Sequence, residues 1–79
     1  MNDVLEQLAQ LTPREREVAQ LLAEGNVNKQ VAAKLDISVR TAEAHRSNIM
    51  KKLQLKTFPE LVRLMLLEKE ADESLKLLD

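Results

Sequence analysis

The sequence contains no cysteine, one histidine, one glycine, two prolines and one aromatic residue. The absence of cysteine excludes disulfides and thiolate zinc sites, and a single histidine excludes a multi-histidine metal site within the chain. One aromatic side chain, Phe58, is too few for a stacking platform that reads single strands. No apolar run approaches the roughly 18 to 20 residues that cross a bilayer, and nothing at the N-terminus suggests export. We therefore expect a soluble, cytoplasmic domain without a cofactor.

The formal net charge of -1 conceals a strong segregation of charge along the chain. Residues 1–27 carry two basic and five acidic side chains, and residues 57–79 carry three basic and six acidic ones. Residues 28–56, between them, carry seven basic and two acidic side chains. A basic block between acidic ends indicates an anionic partner for one surface, although a solvated charged face is the alternative.

The scarcity of glycine and proline, the abundance of helix-forming residues and the lack of period-two alternation predict an all-α domain. Thr12, Pro13 and Glu15 have capping-box spacing, and Gly25 suits a helix end, so the first helix of the domain is predicted over about 13–24.

Three more helices are predicted over about 28–35, about 39–53 and about 58–70 or longer, with Ser38 as the cap of the third predicted helix. The short turn before Ser38 gives the second and third predicted helices the outline of a helix-turn-helix. Residues 1–10 are expected to be a linker or a short N-terminal helix before a domain of residues 11–79.

The third predicted helix has two contrasting faces at about 100° per residue. Ala42, Ile49 and Leu53 form an apolar stripe. The opposite face has short side chains in its middle and cations at both ends, and it consists of Arg40, Ala44, Ser47 and Lys51, with Glu43 to one side. A helix in the major groove needs small or polar residues at the base edges and cations at the phosphates. This face therefore favours recognition of double-stranded DNA.

The start of the second predicted helix and His45 each have more than one interpretation. Asn28 and Lys29 start the second predicted helix, where free N–H groups and the helix dipole favour a phosphate, although Asn28 could be an ordinary cap. His45 lies near the edge of the apolar stripe, without a nucleophile or a carboxylate pair in the helix. We expect His45 to be structural and the protein not to be an enzyme.

Five segments of the chain resemble a known family. These segments are "LTPREREV", "LLAEG", "NKQVAAKL", "ISVRTAEAH" and "NIMKKL". Over about residues 11–67 the chain resembles the C-terminal output domain of the LuxR/NarL family of bacterial transcription regulators, and "KTFPELVRL" is most similar to FixJ-like response regulators. The resemblance implies a four-helix domain whose third helix enters the major groove and whose fourth helix pairs two subunits. By position it implies base-facing Glu43, Ala44 and Ser47, and phosphate-binding Asn28, Lys29, Arg40, Thr41, Arg46, Lys51 and Lys52.

The chain departs from the family pattern at several positions. Ala19 and Ala42 stand where larger aliphatic residues are usual, and each could cost on the order of 1 kcal/mol if the core does not collapse around it. Asn26 and Val27 replace an apolar residue and the helix-capping serine, which could cost about another 1 kcal/mol unless Asn26 or Asn28 substitutes as the cap. These departures are expected to affect stability more than function.

The fourth predicted helix carries more apolar surface than one core needs. Leu61, Val62 and Met65 are expected in the core, and a different stripe is predicted to pair two subunits, consisting of Leu64, Leu67, Ala71 and Leu78. A twofold dimer would read an inverted repeat with half-sites about one helical turn apart. A long helix that covers its own core is the alternative.

A receiver domain cannot share 79 residues with this domain. The chain is therefore expected to be an excised output domain or a standalone regulator, and "VLEQLAQ" favours the fragment because it reads like the end of an interdomain linker. RNA polymerase and, in a full-length parent, a receiver domain are possible partners, whereas no membrane partner is expected. Two alternative functions are a promoter-binding helix-turn-helix of the sigma-factor type and a helical protein-interaction module that does not bind DNA.

Overall fold

The computed structural model describes the backbone of residues 2–77 and the side chains of residues 4–74. This part of the chain forms five helices and no strand, which confirms the all-α prediction. The segment expected to be a linker or a short helix contains α1. The four predicted helices correspond to α2 to α5, and α5 extends beyond residue 70. The helices are α1 (Asn2–Leu8), α2 (Pro13–Ala23), α3 (Asn28–Leu35), α4 (Val39–Lys52) and α5 (Phe58–Leu77).

The start of α2 is fixed by the predicted capping box. The Oγ1 atom of Thr12 accepts a hydrogen bond from the backbone N–H of Glu15 at 3.1 Å, and the backbone N–H of Thr12 donates to Oε1 of Glu15 at 2.9 Å. The helix ends at Ala23, one residue before the predicted end. Two residues later Gly25 has a φ of +101°, a backbone conformation that residues with a Cβ rarely adopt.

The start of α3 has no side-chain cap. Val27 occupies the N-cap position and is 61% exposed, and its backbone N–H donates to Oε1 of Gln30 at 2.9 Å. The Asn26 side chain is used elsewhere, because its amide donates to the carbonyl of Leu21 at 2.8 Å, near the end of α2. The loss of the cap at position 27 is therefore confirmed, and Asn26 does not replace it.

A three-residue turn joins α3 to α4. Asp36 adopts the left-handed conformation, with φ 55° and ψ 48°, and its backbone N–H donates to the carbonyl of Ala32. Aspartate tolerates this conformation better than most residues because its short polar side chain can bond locally. Two helices connected by so short a turn form the predicted helix-turn-helix.

The core is almost entirely aliphatic, and every helix contributes to it. Ala19 and Ala42 are both fully buried, so their expected core positions are confirmed. Leu8, at the end of α1, is also fully buried, so the core includes a side chain that precedes residue 11. The buried apolar residues are Leu8, Leu11, Val18, Ala19, Leu22, Val31, Ala32, Ala42, Ile49, Leu53, Leu61 and Met65.

The helices pack so that α4 has one covered side and one open side. α3 packs against α4, α2 contacts α3, α4 and α5, and α1 packs on α5. Arg16 on α2 contacts both α1 and α5, because its guanidinium donates to the carbonyl of Leu8 at 3.4 Å and forms an ion pair with Glu68 on α5. Among residues 2–77, no helix is both long enough and apolar enough to cross a membrane.

Candidate nucleic-acid interface

The first turn of α4 is held by a serine cap, as predicted. The Oγ atom of Ser38 accepts a hydrogen bond from the backbone N–H of Thr41 at 3.0 Å, and its hydroxyl donates to Oγ1 of Thr41 at 2.8 Å. A cap of this kind satisfies one of the N–H groups left without a partner at a helix start. It also fixes the point at which the α4 surface begins, directly before Val39.

The inward face of α4 is the predicted apolar stripe. Ala42 and Ile49 are fully buried, and Leu53, directly after the last helical residue, is 1% exposed. These residues lie seven or four positions apart, so a single side of the helix packs against α2 and α3. The rotation of α4 about its axis is thereby fixed.

The outward face of α4 carries the predicted combination of short and cationic side chains. Arg40 and Lys51 lie one near each end of this face, and Ala44 and Ser47 lie between them. The whole length of the face is therefore open to a partner, and short side chains in its middle permit close approach. The exposed residues are Arg40, Thr41, Glu43, Ala44, Ser47, Asn48 and Lys51.

Arg46 lies at the border of this face. It is half-buried, and its guanidinium carbon lies 4.9 Å from the centroid of the Phe58 ring at the start of α5. Stacking of this kind is a cation–π interaction, and it restricts the arginine to one side of the helix. Sequence reasoning placed Arg46 among the phosphate-binding residues but gave no sign of this contact.

Lys52 has a partner within the domain. Its Nζ atom lies 2.6 Å from Oε1 of Glu15, a residue that is only 4% exposed. Burial on its own raises the pKa of Glu15, but the hydrogen bonds from Lys52 and Thr12 and the charge of Lys52 outweigh it, so the pKa lies below its ordinary value. Lys52 thus connects the end of α4 to the capping box of α2.

The start of α3 brings two more predicted residues to the helix-turn-helix. Lys29 is exposed, whereas Asn28 is half-buried. The Oδ1 atom of Asn28 is buried and has no hydrogen-bond partner among the described residues. Because Val27 provides no cap, backbone N–H groups at this helix start remain available to an anion.

The remaining predicted residues lie apart from this surface. His45 is half-buried on α4, and the described residues contain no cluster of histidine, aspartate and glutamate that could hold a metal ion. On α5, Leu67 is 38% exposed, whereas Leu64 and Ala71 are half-buried and Leu64 packs against the core. Leu78, the last member of the predicted stripe, lies outside the described residues.

Two helices joined by a three-residue turn, the second with its outer face exposed, define a domain of the helix-turn-helix class. Residues 9–65 match the family described as "Bacterial regulatory proteins, luxR family", and the chain therefore belongs to this family. The resemblance read from the sequence segments is confirmed.

Individual relatives support the same membership. The chain is 48% identical over 54 residues to the tetrathionate response regulatory protein TtrR of Salmonella typhimurium, covering 68% of this chain and 26% of that protein. It is 46% identical over 65 residues to the transcriptional regulatory protein FixJ of Rhizobium meliloti, covering 82% of this chain and 32% of that protein. The structure resembles full-length FixJ from B. japonicum with a TM-score of 0.75 and 45% identity, covering 82% of this chain and 32% of that one. The chain thus spans a third or less of these relatives.

Proposed function

We propose that the domain binds double-stranded DNA sequence-specifically, with α4 in the major groove, as the output domain of a bacterial transcription regulator. The observation that carries this proposal is the exposed face of α4, on which Ala44 and Ser47 lie between Arg40 and Lys51. The major groove accepts one helix, and a close fit requires short side chains at the centre of the contact. Membership of a family of regulatory proteins supports the same role.

Three residues of α4 are proposed to face the bases. Ala44 and Ser47 allow the helix to approach the base edges, and the Ser47 hydroxyl can donate or accept a hydrogen bond. Glu43 can accept a hydrogen bond from the amino group of cytosine. All three side chains are exposed in the free domain, so no internal contact has to break before they meet DNA.

The proposed phosphate contacts surround these base-facing residues. Arg40, Thr41 and Lys51 flank them on α4, and Asn28 and Lys29 lie at the uncapped start of α3. Arg46 adds a contact from the border of the face. Lys52 was predicted in this set, but its ion pair with Glu15 gives it a role in the fold of the free domain. The proposal therefore rests on the other residues.

We also propose that α5 pairs two copies of the domain through Leu64, Leu67 and Ala71. Leu67 is the most exposed of the three, and a stable homodimer would cover it. A twofold pair would present two copies of α4 to an inverted repeat, with half-sites about one helical turn apart.

The full-length relatives suggest the wider context. Because the chain spans a third or less of them, we propose that a receiver domain accompanies it in a longer parent protein. In that parent the domain would act in the cytoplasm on promoter DNA, with RNA polymerase as a further partner. The names of TtrR and FixJ, a response regulatory protein and a transcriptional regulatory protein, support this context.

Selection from a random duplex library at physiological salt tests the proposal. We expect enrichment of an inverted repeat, as a dimeric sequence reader would produce. Enrichment of a single half-site would support sequence-specific binding and contradict the proposed dimer. Retention without any enrichment, unaffected by salt, would indicate a protein-interaction module instead. Tight binding to core RNA polymerase in the absence of DNA would favour a promoter-binding domain of the sigma-factor type, because the proposed regulator would meet the polymerase on promoter DNA.

A further inference from the structure

An open recess borders α4 beside its C-terminal half and continues into the loop before α5. Its charged lining residues are Glu43, Arg46 and Lys51 from the helix and Lys56 from the loop. Three cations and one carboxylate give the recess a formal charge of about +2, which favours an anion. Lys56 is exposed, and neither the helical pattern nor the resemblance marked it as a site residue.

Phe58 restrains one of these cations. The aromatic ring is half-buried and packs against the core, and the guanidinium of Arg46 lies 4.9 Å from its centroid. A guanidinium that stacks on a ring still has N–H groups at its edge, and these can donate in its own plane to an anionic oxygen. The contact therefore keeps Arg46 in place at the recess while its donors remain usable.

The position of the recess indicates what it binds. Glu43 and Ser47, which are proposed to face the bases, also line it. A DNA strand whose bases reach these two side chains can carry its backbone along the same side of α4. One backbone phosphate would then pass close to Arg46, Lys51 and Lys56 together.

We infer that Phe58 is a positioning residue for DNA binding: it holds Arg46 at a recess in which Arg46, Lys51 and Lys56 bind one backbone phosphate. This inference rests on the proposed function and adds to it two residues, Lys56 and Phe58. Phe58 does not touch the DNA itself but acts through the guanidinium that it supports.

Salt dependence of the affinity for a mixed-sequence duplex of about 30 base pairs measures these contacts directly. Each phosphate contact contributes about 0.9 to the slope of log affinity against log salt. Between about 50 and 200 mM salt, one contact therefore accounts for an about 3.5-fold loss of affinity per bound subunit, and a variant without that contact should lack this part of the loss. We expect a reduction of at most this size in Arg46→Gln and in Lys56→Gln, because each substitution removes one of the three cations at a single phosphate. Phe58→Leu should reduce the slope in the same direction but by less, because the leucine removes the aromatic face that holds Arg46 and leaves its charge in place.

Two matched variants separate positioning from folding. Phe58→Trp keeps an aromatic face and should retain the wild-type slope, which a general packing defect would not explain. Lys69→Gln removes an exposed cation of α5 outside the recess and should also leave the slope unchanged. The double variant of Phe58→Leu with Arg46→Gln should lose no more than Arg46→Gln alone. Thermal unfolding verifies that each variant is folded at the temperature of the binding measurement.

The outcomes distinguish this inference from the proposed function. If Phe58→Leu is folded and keeps the wild-type slope while Arg46→Gln loses one contact, Phe58 is not a positioning residue. If Arg46→Gln and Lys56→Gln keep the slope while Arg40→Gln reduces it, the domain binds DNA but the recess holds no phosphate. If the wild-type domain binds the duplex without salt dependence, the proposed function fails, and the inference fails with it.

Discussion

The Nζ atom of Lys52, in the last turn of α4, lies 2.6 Å from Oε1 of Glu15, which belongs to the capping box of α2. One carboxylate therefore both stabilises the start of α2 and binds the end of α4. The orientation of α4 depends on this contact as well as on its apolar stripe.

Glu15→Gln is expected to destabilise the domain by about 1–3 kcal/mol, because the substitution removes hydrogen bonds to a charged group and leaves Lys52 without its counterion. Chemical denaturation at neutral pH measures the loss of unfolding free energy. Glu17→Gln is the matched control, since Glu17 pairs with Arg14 at the surface and such a pair contributes about 0–1 kcal/mol at most. Equal losses in the two variants would contradict a special role for the Glu15–Lys52 pair.

The same pair predicts an acid dependence of stability. The pKa of Glu15 in the folded domain lies below its ordinary value of 4.5, because contacts with Lys52 and Thr12 stabilise the carboxylate more than burial destabilises it. Its contribution to stability is therefore fully present above the ordinary value and is lost as the pH falls through the lower, folded value. Unfolding free energies measured from pH 7 downwards should fall less in Glu15→Gln than in the wild type over this acid range.

Val27→Ser is expected to stabilise the domain by about 1 kcal/mol. The serine hydroxyl would accept a hydrogen bond from the backbone of Gln30, whose side chain already accepts from the N–H of residue 27. Val27→Ala provides the control, because it removes the exposed valine side chain without adding a cap. A gain in melting temperature shared by both variants would show that the missing cap is not the cause.

Leu67→Lys is expected to weaken dimerisation, because a charge would replace an apolar side chain at the centre of the proposed subunit contact. Sedimentation at several protein concentrations measures the effect, and binding to a two-half-site duplex should lose its cooperativity. Leu66→Lys serves as the control, since Leu66 is 55% exposed and lies on another side of α5. Unchanged association in Leu67→Lys would exclude this stripe from the dimer.

Glu43→Gln and Lys51→Gln are expected to affect DNA binding in different ways. Lys51→Gln should weaken binding to all duplexes alike and reduce the salt slope by at most about 0.9 per bound subunit. Glu43→Gln should instead change which bases are preferred, since the carboxylate is proposed to contact a base edge. Repeating the library selection with each variant makes the comparison. If both variants enrich the same sequences as the wild type, the assignment of Glu43 to base recognition is wrong.

Local features of the fold could be predicted from the sequence. These features depend on residues that lie close together in the sequence. They include the caps by Thr12 and Ser38, the positive φ of Gly25 and the buried stripe through Ile49. Helix geometry determines such relationships before any tertiary contact forms. For the same reason, the exposed face of α4 followed directly from its periodicity.

Contacts between distant parts of the chain could not be predicted in this way. Lys52 and Glu15 are 37 positions apart, and they meet only because α2 and α4 pack together. A helical wheel gives the direction of a lysine but not the position of its charged end, which several rotatable bonds separate from the backbone. The stacking of Arg46 on Phe58 escaped prediction because it depends on where the loop brings the start of α5.

The arrangement of the helices also gives the segregated charges a spatial meaning. The basic segment includes the open face of α4, whereas Glu15 and Glu17 of the acidic N-terminal segment belong to α2, which packs on the covered side of α4. A separation of charge of this kind gives a nearly neutral molecule an electric dipole. If the domain binds DNA as proposed, this dipole is expected to turn α4 toward the polyanion before contact, while the protein is still diffusing.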